Sequence, residues 1–216
     1  MINNNKYTAH NKPWRYFTSN NGFFTPEVYE NLTNILYSDA VKDWPVINGD
    51  GSDPVYPQGQ VVMIDNKARE SASGFLREFY DWLWTGELEA HIYEATGVEF
   101  NTRYSWLWHL DYSGFDQAWH NDFDDYPGEE ITTFQVYMAK NDSKAHSGAM
   151  VTSICPEDND DIDVRNLSNL EKAQYQVPYT PNQAWSFTAT PGTWHAVPKI
   201  DFYRPSFMCR HFKRIT

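Results

Sequence analysis

"GTWHAVPKIDFYRPS", Gly192–Ser206, carries one histidine and one arginine, His195 and Arg204, in a stretch whose texture reads as strand. An imidazole and a guanidinium are both costly to bury alone. The residues that follow sharpen the reading. In "RPSFMCRHF", Arg204, Ser206, Met208 and Arg210 share one face of a strand, while Phe207 and Cys209 share the other with Tyr203. Two arginines and a serine alternating on an otherwise aromatic strand predict a lined pocket. A second strand, "ITTFQVYMA", has the same two-sided character. Thr132, Phe134, Val136 and Met138 point one way, and Thr133, Gln135 and Tyr137 the other. Taken alone, this pattern reads as an edge strand; beside a solvated cavity it would read as a greasy back and a polar front.

The rest of the chain has two textures. From about Thr25 to Gly97 helical signals dominate. "TPEVYENLTNILYSDA" offers Thr25 as N-cap, Pro26 at the first helical position and Glu27 in the first turn. Val28, Leu32, Ile35 and Leu36 then fall on one face. "ESASGFLREFYDWLWTGELEAHIYEATG" reads as one helix or two, with a break at Thr85-Gly86, a stripe of Phe75, Leu76, Phe79, Trp82 and Leu83, and Gly97 as C-cap. "QVVMID" between them reads as a strand. From Glu99 onward, short segments rich in aromatic and β-forming residues alternate with Pro, Gly, Asn and Asp clusters. The expected class is α+β: residues 1–98 mainly helical with one or two strands, then a β-sandwich or barrel over residues 99–216, all in a single domain.

Composition narrows the function classes. The 216 residues suffice for one domain with a sizeable core, and the 17% aromatic content argues against disorder. A net charge of −12 argues against a binder of phosphate backbones, without excluding a local basic pocket. Cys155 and Cys209 form no disulfide framework and no zinc spacing, so both are expected to be reduced and packed. "MINNNKYTAHNKPWRY" lacks the apolar core of a signal peptide, and no apolar run is long enough to span a bilayer. A cytoplasmic protein with no membrane partner is the expectation, and the sequons at Asn31 and Asn166 then carry no weight.

His195 needs partners. Two His-x-Asp triplets occur, His109 with Asp111 and His120 with Asp122, and a lone triplet is weak evidence. "HLD" lies within a strand-like run. "HND" follows the loop "SGFDQAW" and precedes an acidic loop, so both its side chains can turn to one ion, and a distant histidine completes the set. Two imidazoles and one carboxylate on one side of an octahedron hold non-haem Fe(II) and leave three positions open. Zinc hydrolases use the same ligand types, with fewer open positions. Arg204 favours iron. An oxygenase that chelates a dicarboxylate needs a forked, permanently charged partner for the far carboxylate, which Arg supplies bidentately. Ser206 can add a hydrogen bond. If Arg204 is buried, an anion is expected to be recruited to it.

The order His120-x-Asp122, His195, Arg204-x-Ser206 resembles the Fe(II)/2-oxoglutarate dioxygenases, and within them the prolyl-4-hydroxylase-like branch. "DYSG" looks like that branch's Tyr-x-Gly segment, two residues closer to the histidine than is usual, which would place Tyr112 near the co-substrate. "TFQVYMAKND" resembles the strand with a 2-oxoglutarate-contacting tyrosine, here Tyr137. "HSGAMV" resembles a Gly-Gly-x-Leu turn with Ser147 in place of the first glycine, and "VPYTPNQAWSFTATPGTWHAV" resembles the stretch leading to the distal histidine. The likeness spans about Asp111 to Phe212; the helical half matches only in layout.

The resemblance implies a double-stranded β-helix of jelly-roll or cupin-like form, backed by the N-terminal helices. It implies Fe(II), 2-oxoglutarate and O2 as cofactor and co-substrates, with His120, Asp122 and His195 as ligands and Arg204, Ser206, Tyr137 and Tyr112 around the co-substrate. The implied reaction hydroxylates an unactivated C–H bond of a peptidyl or small-molecule substrate and releases succinate and carbon dioxide. Halogenating relatives lack the ligand carboxylate, so Asp122 favours hydroxylation. Arg210 meets either an anionic group of the substrate or an acidic side chain at the barrel's end. "PEDNDDIDVRN", residues 156–166, reads as a solvated acidic loop and a candidate lid. Three alternatives stay open: a nucleic-acid demethylase on the same core, hinted at by Arg204 and Arg210 six residues apart; a zinc hydrolase or cupin-like metal-binding module; and a catalytically dead fold serving as an interaction domain.

Overall fold

The computed structural model describes residues 1–3, 6–47, 58–97, 103–125, 129–140, 148–152 and 175–214. The acidic loop at 156–166, His146, Ser147, Cys155 and Asn166 lie outside these residues.

The helical half forms largely as its signals dictate. Helix α1, Pro26–Leu36, starts after Thr25 with Pro26 in its first turn, and buries Val28, Leu32 and Leu36. Thr33 is buried with them, while Ile35 is only half-buried. A short 3-10 helix, Asp39–Asp43, follows. Helix α2, Asn66–Ser71, is capped by the Asp65 carboxylate, which accepts from the Ala68 N–H at 2.8 Å. The long helical run is two helices. Helix α3, Gly74–Leu83, and helix α4, Glu87–Thr96, are separated at Gly86, whose φ of 81° is open to glycine at little cost, and α4 ends on Gly97 in the same left-handed region.

Among the described residues of this half there are three strands, not one or two: β1 Tyr7–His10, β2 Tyr16–Ser19 and β3 Gly59–Met63. The first two are four-residue segments, β1 mostly exposed and β2 burying Tyr16 and Phe17, too short for alternation to announce them. The remaining strands are β4 Arg103–Asp111, β5 Gln117–His120, β6 Glu129–Tyr137, β7 Ala149–Thr152, β8 Tyr175–Val177, β9 Ala184–Thr188, β10 Trp194–Val197 and β11 Arg204–Arg214. A single helical turn, α5, Asp122–Asp125, sits between β5 and β6.

Among the described residues these strands make two antiparallel sheets. One runs β1-β2-β9-β6-β11-β4-β3, the other β5-β10-β7-β8. From β4 onward the chain alternates between them: large, small, large, small, small, large, small, large. β6 therefore lies between β9 and β11 and is not an edge. Its polar face belongs to an interior strand, and that is possible only because a cavity lies in front of it.

Register decides which side chains share that front. Arg204 pairs with Asp111, Ser206 with His109 and Tyr137, Met208 with Gln135, and Arg210 with Thr133. Paired residues lie on one face. The opposite face carries Phe207 beside Trp108 and Val136, and Cys209 beside Trp106 and Phe134. This face packs on α1, α3 and α4 through Phe24, Leu32, Phe79, Leu83 and Leu88. Phe79 and Trp108 ring centroids lie 5.8 Å apart, and Trp108 and Phe207 5.4 Å apart. A second core of Ile131, Val151, Val177, Tyr179, Trp185 and Phe187 fills the space between the sheets. Gly148, at the start of β7, is held by close backbone approach, since a Cβ there would stand 1.8 Å from the Val177 carbonyl oxygen.

Candidate metal centre

Strands β5 and β10 are antiparallel neighbours, and their register sets His120 directly opposite His195. The two imidazole centroids are 4.0 Å apart. Asp122 follows where the chain leaves β5. Asn121 makes that corner: its side-chain carbonyl accepts from the Phe123 N–H at 3.0 Å, and its amide donates to the Pro191 carbonyl at 2.9 Å. The middle residue of the triplet thus ties the Asp122 turn to the loop before His195. The Asp122 carboxylate lies 3.6 Å from His120 Nε2 through Oδ1 and 3.9 Å from His195 Nε2 through Oδ2. One ligand atom from each of the three lies within 4.8 Å of the others, a spacing fit for one ion.

The donors are oriented from behind. His120 Nδ1 is 3.0 Å from the Ala118 carbonyl, and His195 Nδ1 is 3.1 Å from the Thr193 carbonyl. A carbonyl only accepts, so each Nδ1 carries the proton and each Nε2 presents its lone pair. The Gln117 amide donates to His120 Nε2 at 3.2 Å, a bond that a metal ion would replace. Thr133 donates to Asp122 Oδ2 at 3.2 Å. Burial pushes the Asp122 carboxyl up, but His195, Arg210, His120 and the Thr133 hydroxyl outweigh it and hold it below the usual carboxylate range. Burial, with His120 beside it, lowers His195. An ionised carboxylate and a neutral imidazole are the states that bind a cation.

The cavity in front of the triad is lined by residues of both sheets, among them Phe115, Gln117, Trp185, Val197, Arg204 and Arg210. The space in it open to water is about 30 Å³, enough to hold water. Arg204 is buried, as expected for a ligand-facing guanidinium, but its anion comes from the chain itself. Arg204 Nη1 donates to Asp111 Oδ2 at 2.7 Å, with side-chain exposures of 2% and 4%. The expectation of a recruited anion is corrected to that extent: one carboxylate is already in place. The Tyr137 and Tyr179 rings lie 5.2 Å and 5.1 Å from the guanidinium carbon. Tyr137 is fully buried, and its hydroxyl accepts from the Ala149 N–H.

Ser206 is buried and accepts from Gln135 Nε2 at 2.7 Å, while Gln135 Oε1 accepts from Trp185 Nε1 at 3.0 Å. Arg210 has its Nη2 3.7 Å from Asp122 Oδ1, so of its two expected roles the structure provides the acidic neighbour, and that neighbour is the metal-site carboxylate. Tyr112 departs from expectation. Its hydroxyl donates to Gln60 Oε1 at 3.0 Å, its ring stacks on Tyr203, and both rings pack against the helix-side core. The physical reason is its place one residue beyond Asp111, which takes the cavity side.

The rival triplet also faces the cavity. His109 and Asp111 line it from β4, yet only His120, Asp122 and His195 converge among the described residues. Asn121, Gln135 and Tyr179 carry no site role in the sequence reading, and Asp111 enters it only as a rival ligand. Alternation along "RYSWLWHLDY" does place His109 and Asp111 on one strand face; the pairing of Asp111 with Arg204 could not be read without the register. Cys209 is buried on the helix side with its Sγ 3.4 Å from His211 Nε2.

No protein-family model matches the sequence, and comparison with curated proteins gives no match. Solved structures do match. A Pseudomonas putida prolyl-4-hydroxylase is 12% identical, with 93% of each chain covered and a TM-score of 0.60. EvdO2 from Micromonospora carbonacea var. aurantiaca, solved with 2-oxoglutarate, is 14% identical over 93% of this chain and 88% of that one, with a TM-score of 0.53. SnoN, a non-haem alpha-ketoglutarate-dependent epimerase from nogalamycin biosynthesis, is 15% identical over 93% and 79%, with a TM-score of 0.54. At such identities the likeness is one of architecture, and the chain has the fold of the 2-oxoglutarate and Fe(II) oxygenases, with a prolyl-4-hydroxylase among its neighbours.

Proposed function

We propose that the protein is an Fe(II)- and 2-oxoglutarate-dependent oxygenase that hydroxylates an unactivated C–H bond in a peptidyl substrate, prolyl or otherwise, or in a small molecule. The observation that carries the reading is the convergence of His120, Asp122 and His195 in a cavity whose wall holds a buried Arg204. On this reading the alternation of β4 to β11 between two sheets is a double-stranded β-helix, a single catalytic domain with helices behind it. The neighbours' fold supports it, and tips the choice from zinc, which the same donor types would suit.

The residues fit the implied group. Three donors of the right kind aim at one point, and Arg204 Nε is buried without a hydrogen-bond partner, which suits a further acceptor. Bound iron, with 2-oxoglutarate and O2, supplies the oxidising chemistry and yields succinate and carbon dioxide. The chain supplies the rest. Asp122, ionised, and His120 and His195, fixed by the Ala118 and Thr193 carbonyls, hold the metal. Arg204 offers a permanent charge to the far carboxylate of the co-substrate. Ser206, already accepting from Gln135, keeps its own O–H to donate. Phe115, Trp185, Phe187 and Val197 line the cavity with apolar surface and limit water.

Purified protein given Fe(II), 2-oxoglutarate and O2 should release succinate, slowly even without prime substrate. Release unchanged by removing iron, or by His195→Ala, ends the oxygenase reading. Mass spectrometry of candidate peptides and a metabolite pool, with and without 2-oxoglutarate, would find the substrate. A nucleic-acid demethylase is the second reading, since Arg204 and Arg210 do share the cavity wall. The net charge of −12 weighs against it, and steep salt dependence of binding would be its mark. No described helix is long and apolar enough to cross a membrane. A cytoplasmic location is part of the same proposal.

A further inference from the structure

The Arg204–Asp111 pair sets a charge problem for any second carboxylate. The pair is neutral as it stands, one cation and one anion, buried and walled by Tyr137 and Tyr179. The guanidinium still has unused donors, with Nε buried and unpartnered. If a dicarboxylate docks there, two carboxylates share one guanidinium away from water. Like charges sharing a buried site cannot both stay ionised without large cost. Asp111 has no way out. It sits on an interior strand, paired to Arg204 in β11 on one side and Gly59 in β3 on the other, 3% exposed. A Cβ on Gly59 would lie 2.9 Å from the Phe115 ring and 3.5 Å from Asp111 Oδ1, so the side chain is boxed in there as well. The remaining way to neutrality is a proton.

We propose that Asp111 is the proton acceptor of the co-substrate site: 2-oxoglutarate docks its far carboxylate on Arg204 as the Asp111 carboxylate takes one proton from solvent. An O–H bond forms on Asp111, no other covalent bond changes, and the site returns to one positive and one negative charge. This rests on the oxygenase reading. The groups that face Asp111 are Arg204 from β11, Tyr137 from β6, Tyr203 just before β11 and, on its own strand, His109; Gly59 and Phe115 add no charge. Burial raises the Asp111 carboxyl to about 6 against the pull of Arg204, and a second carboxylate raises it further. The three other groups are neutral near neutral pH. Burial raises both tyrosines, and burial with Arg210 and Arg204 lowers His109 to about 3.

The sign follows. Below about pH 6 Asp111 is protonated before the ligand arrives, and binding takes up no proton. Above it, each bound ligand draws one proton, and affinity falls toward tenfold per pH unit, roughly 50-fold from about pH 6 to about pH 8. The experiment is calorimetric titration of 2-oxoglutarate into Mn(II)-loaded protein without iron, in two buffers of different ionisation heat. Near one proton should be taken up per ligand above neutral pH, with the stated loss of affinity. In Asp111→Asn the uptake should vanish and affinity should be flat with pH. Binding without proton uptake in the wild type, or uptake retained in Asp111→Asn, overturns the proposal; the latter would move the proton to His109. If Asp111→Asn does not fold, the wild-type proton count decides alone. No 2-oxoglutarate binding at any pH overturns the oxygenase reading and this inference with it, whereas binding without uptake overturns only the inference.

Discussion

The two ends of the cavity are completed in different ways. At one end Asp122 is held ionised beside two imidazoles whose Nδ1 protons point away into backbone carbonyls, so the set is completed by a cation. At the other a permanent cation, Arg204, is already matched by Asp111 from the neighbouring strand. The first end is shaped by turns, at Asn121 and before His195; the second by strand register between β4 and β11. Removing a member therefore has different consequences. At the triad end the loss falls on the ligand. At the Arg204 end it falls partly on the fold, because breaking a buried pair from one side leaves an uncompensated charge worth about 3–5 kcal/mol.

The largest effect on function should come from Asp122→Ala and His195→Ala. Loss of partners that merely orient a metal ligand lowers metal affinity by about 10–100-fold, so loss of a ligand itself should exceed that and abolish succinate release. Metal content after desalting measures the first, and circular dichroism shows whether the sheets persist. Retained iron in either variant would break the contrast between the ends, since the triad would then not be what holds the metal.

The back of the same sheet gives the control. Phe207 is fully buried between Trp108 and Phe79 on the helix side, one residue from Ser206 and facing the other way. Phe207→Ala should lower unfolding free energy by about 3–5 kcal/mol, with metal affinity at folding conditions unchanged. Denaturant melts with and without metal test this; an equal loss of metal affinity would mean that the two faces are not separable.

How much of this was legible follows from the range of the interactions. Period-two alternation in β6 and β11 is local, and so the pocket face could be read directly from Thr133, Gln135 and Tyr137 and from Arg204, Ser206 and Arg210. Caps and the break at Gly86 are local too. The triad was legible because its residues sit in two short motifs whose chemistry is restrictive. Asp111 was seen only as a rival ligand. Its partner lies 93 residues away, and that contact depends on a register no single sequence displays. Tyr112 was misplaced for the same reason, by one residue at the end of β4. The short strands β1 and β2 were missed because they draw their order from pairing, β1 with β2 and β2 with β9, rather than from apolar alternation of their own.

Arg204→Lys sharpens the comparison at the other end. The ammonium keeps the charge beside Asp111 but loses the fork. Losing one charge-assisted hydrogen bond, roughly 1.5–3 kcal/mol, corresponds to about 10- to 150-fold weaker 2-oxoglutarate binding. Metal affinity should hold, because Asp122 is held ionised by Arg210 and by the Thr133 hydroxyl rather than by Arg204. A variant that loses iron and keeps 2-oxoglutarate would make Arg204 a support of the metal end, and the two ends would be one.

Ser206→Ala should give the smallest effect, and it tests whether the Arg204 end uses more than its charge. The Ser206 oxygen accepts from Gln135, which is itself held by Trp185. The hydroxyl proton is the part left to meet a ligand carboxylate. Alanine removes both roles; the bond from Gln135 is between neutral groups, and the bond to a carboxylate already charge-paired to Arg204 is taken in the same range, about 0.5–1.5 kcal/mol each. Co-substrate affinity should then fall only about 2- to 13-fold, with a similar modest loss in melting stability from the stranded Gln135 amide. The two readouts separate the roles. If stability drops and 2-oxoglutarate affinity does not, Ser206 serves only the Trp185–Gln135 chain that braces the cavity wall, and Arg204 alone recognises the far carboxylate.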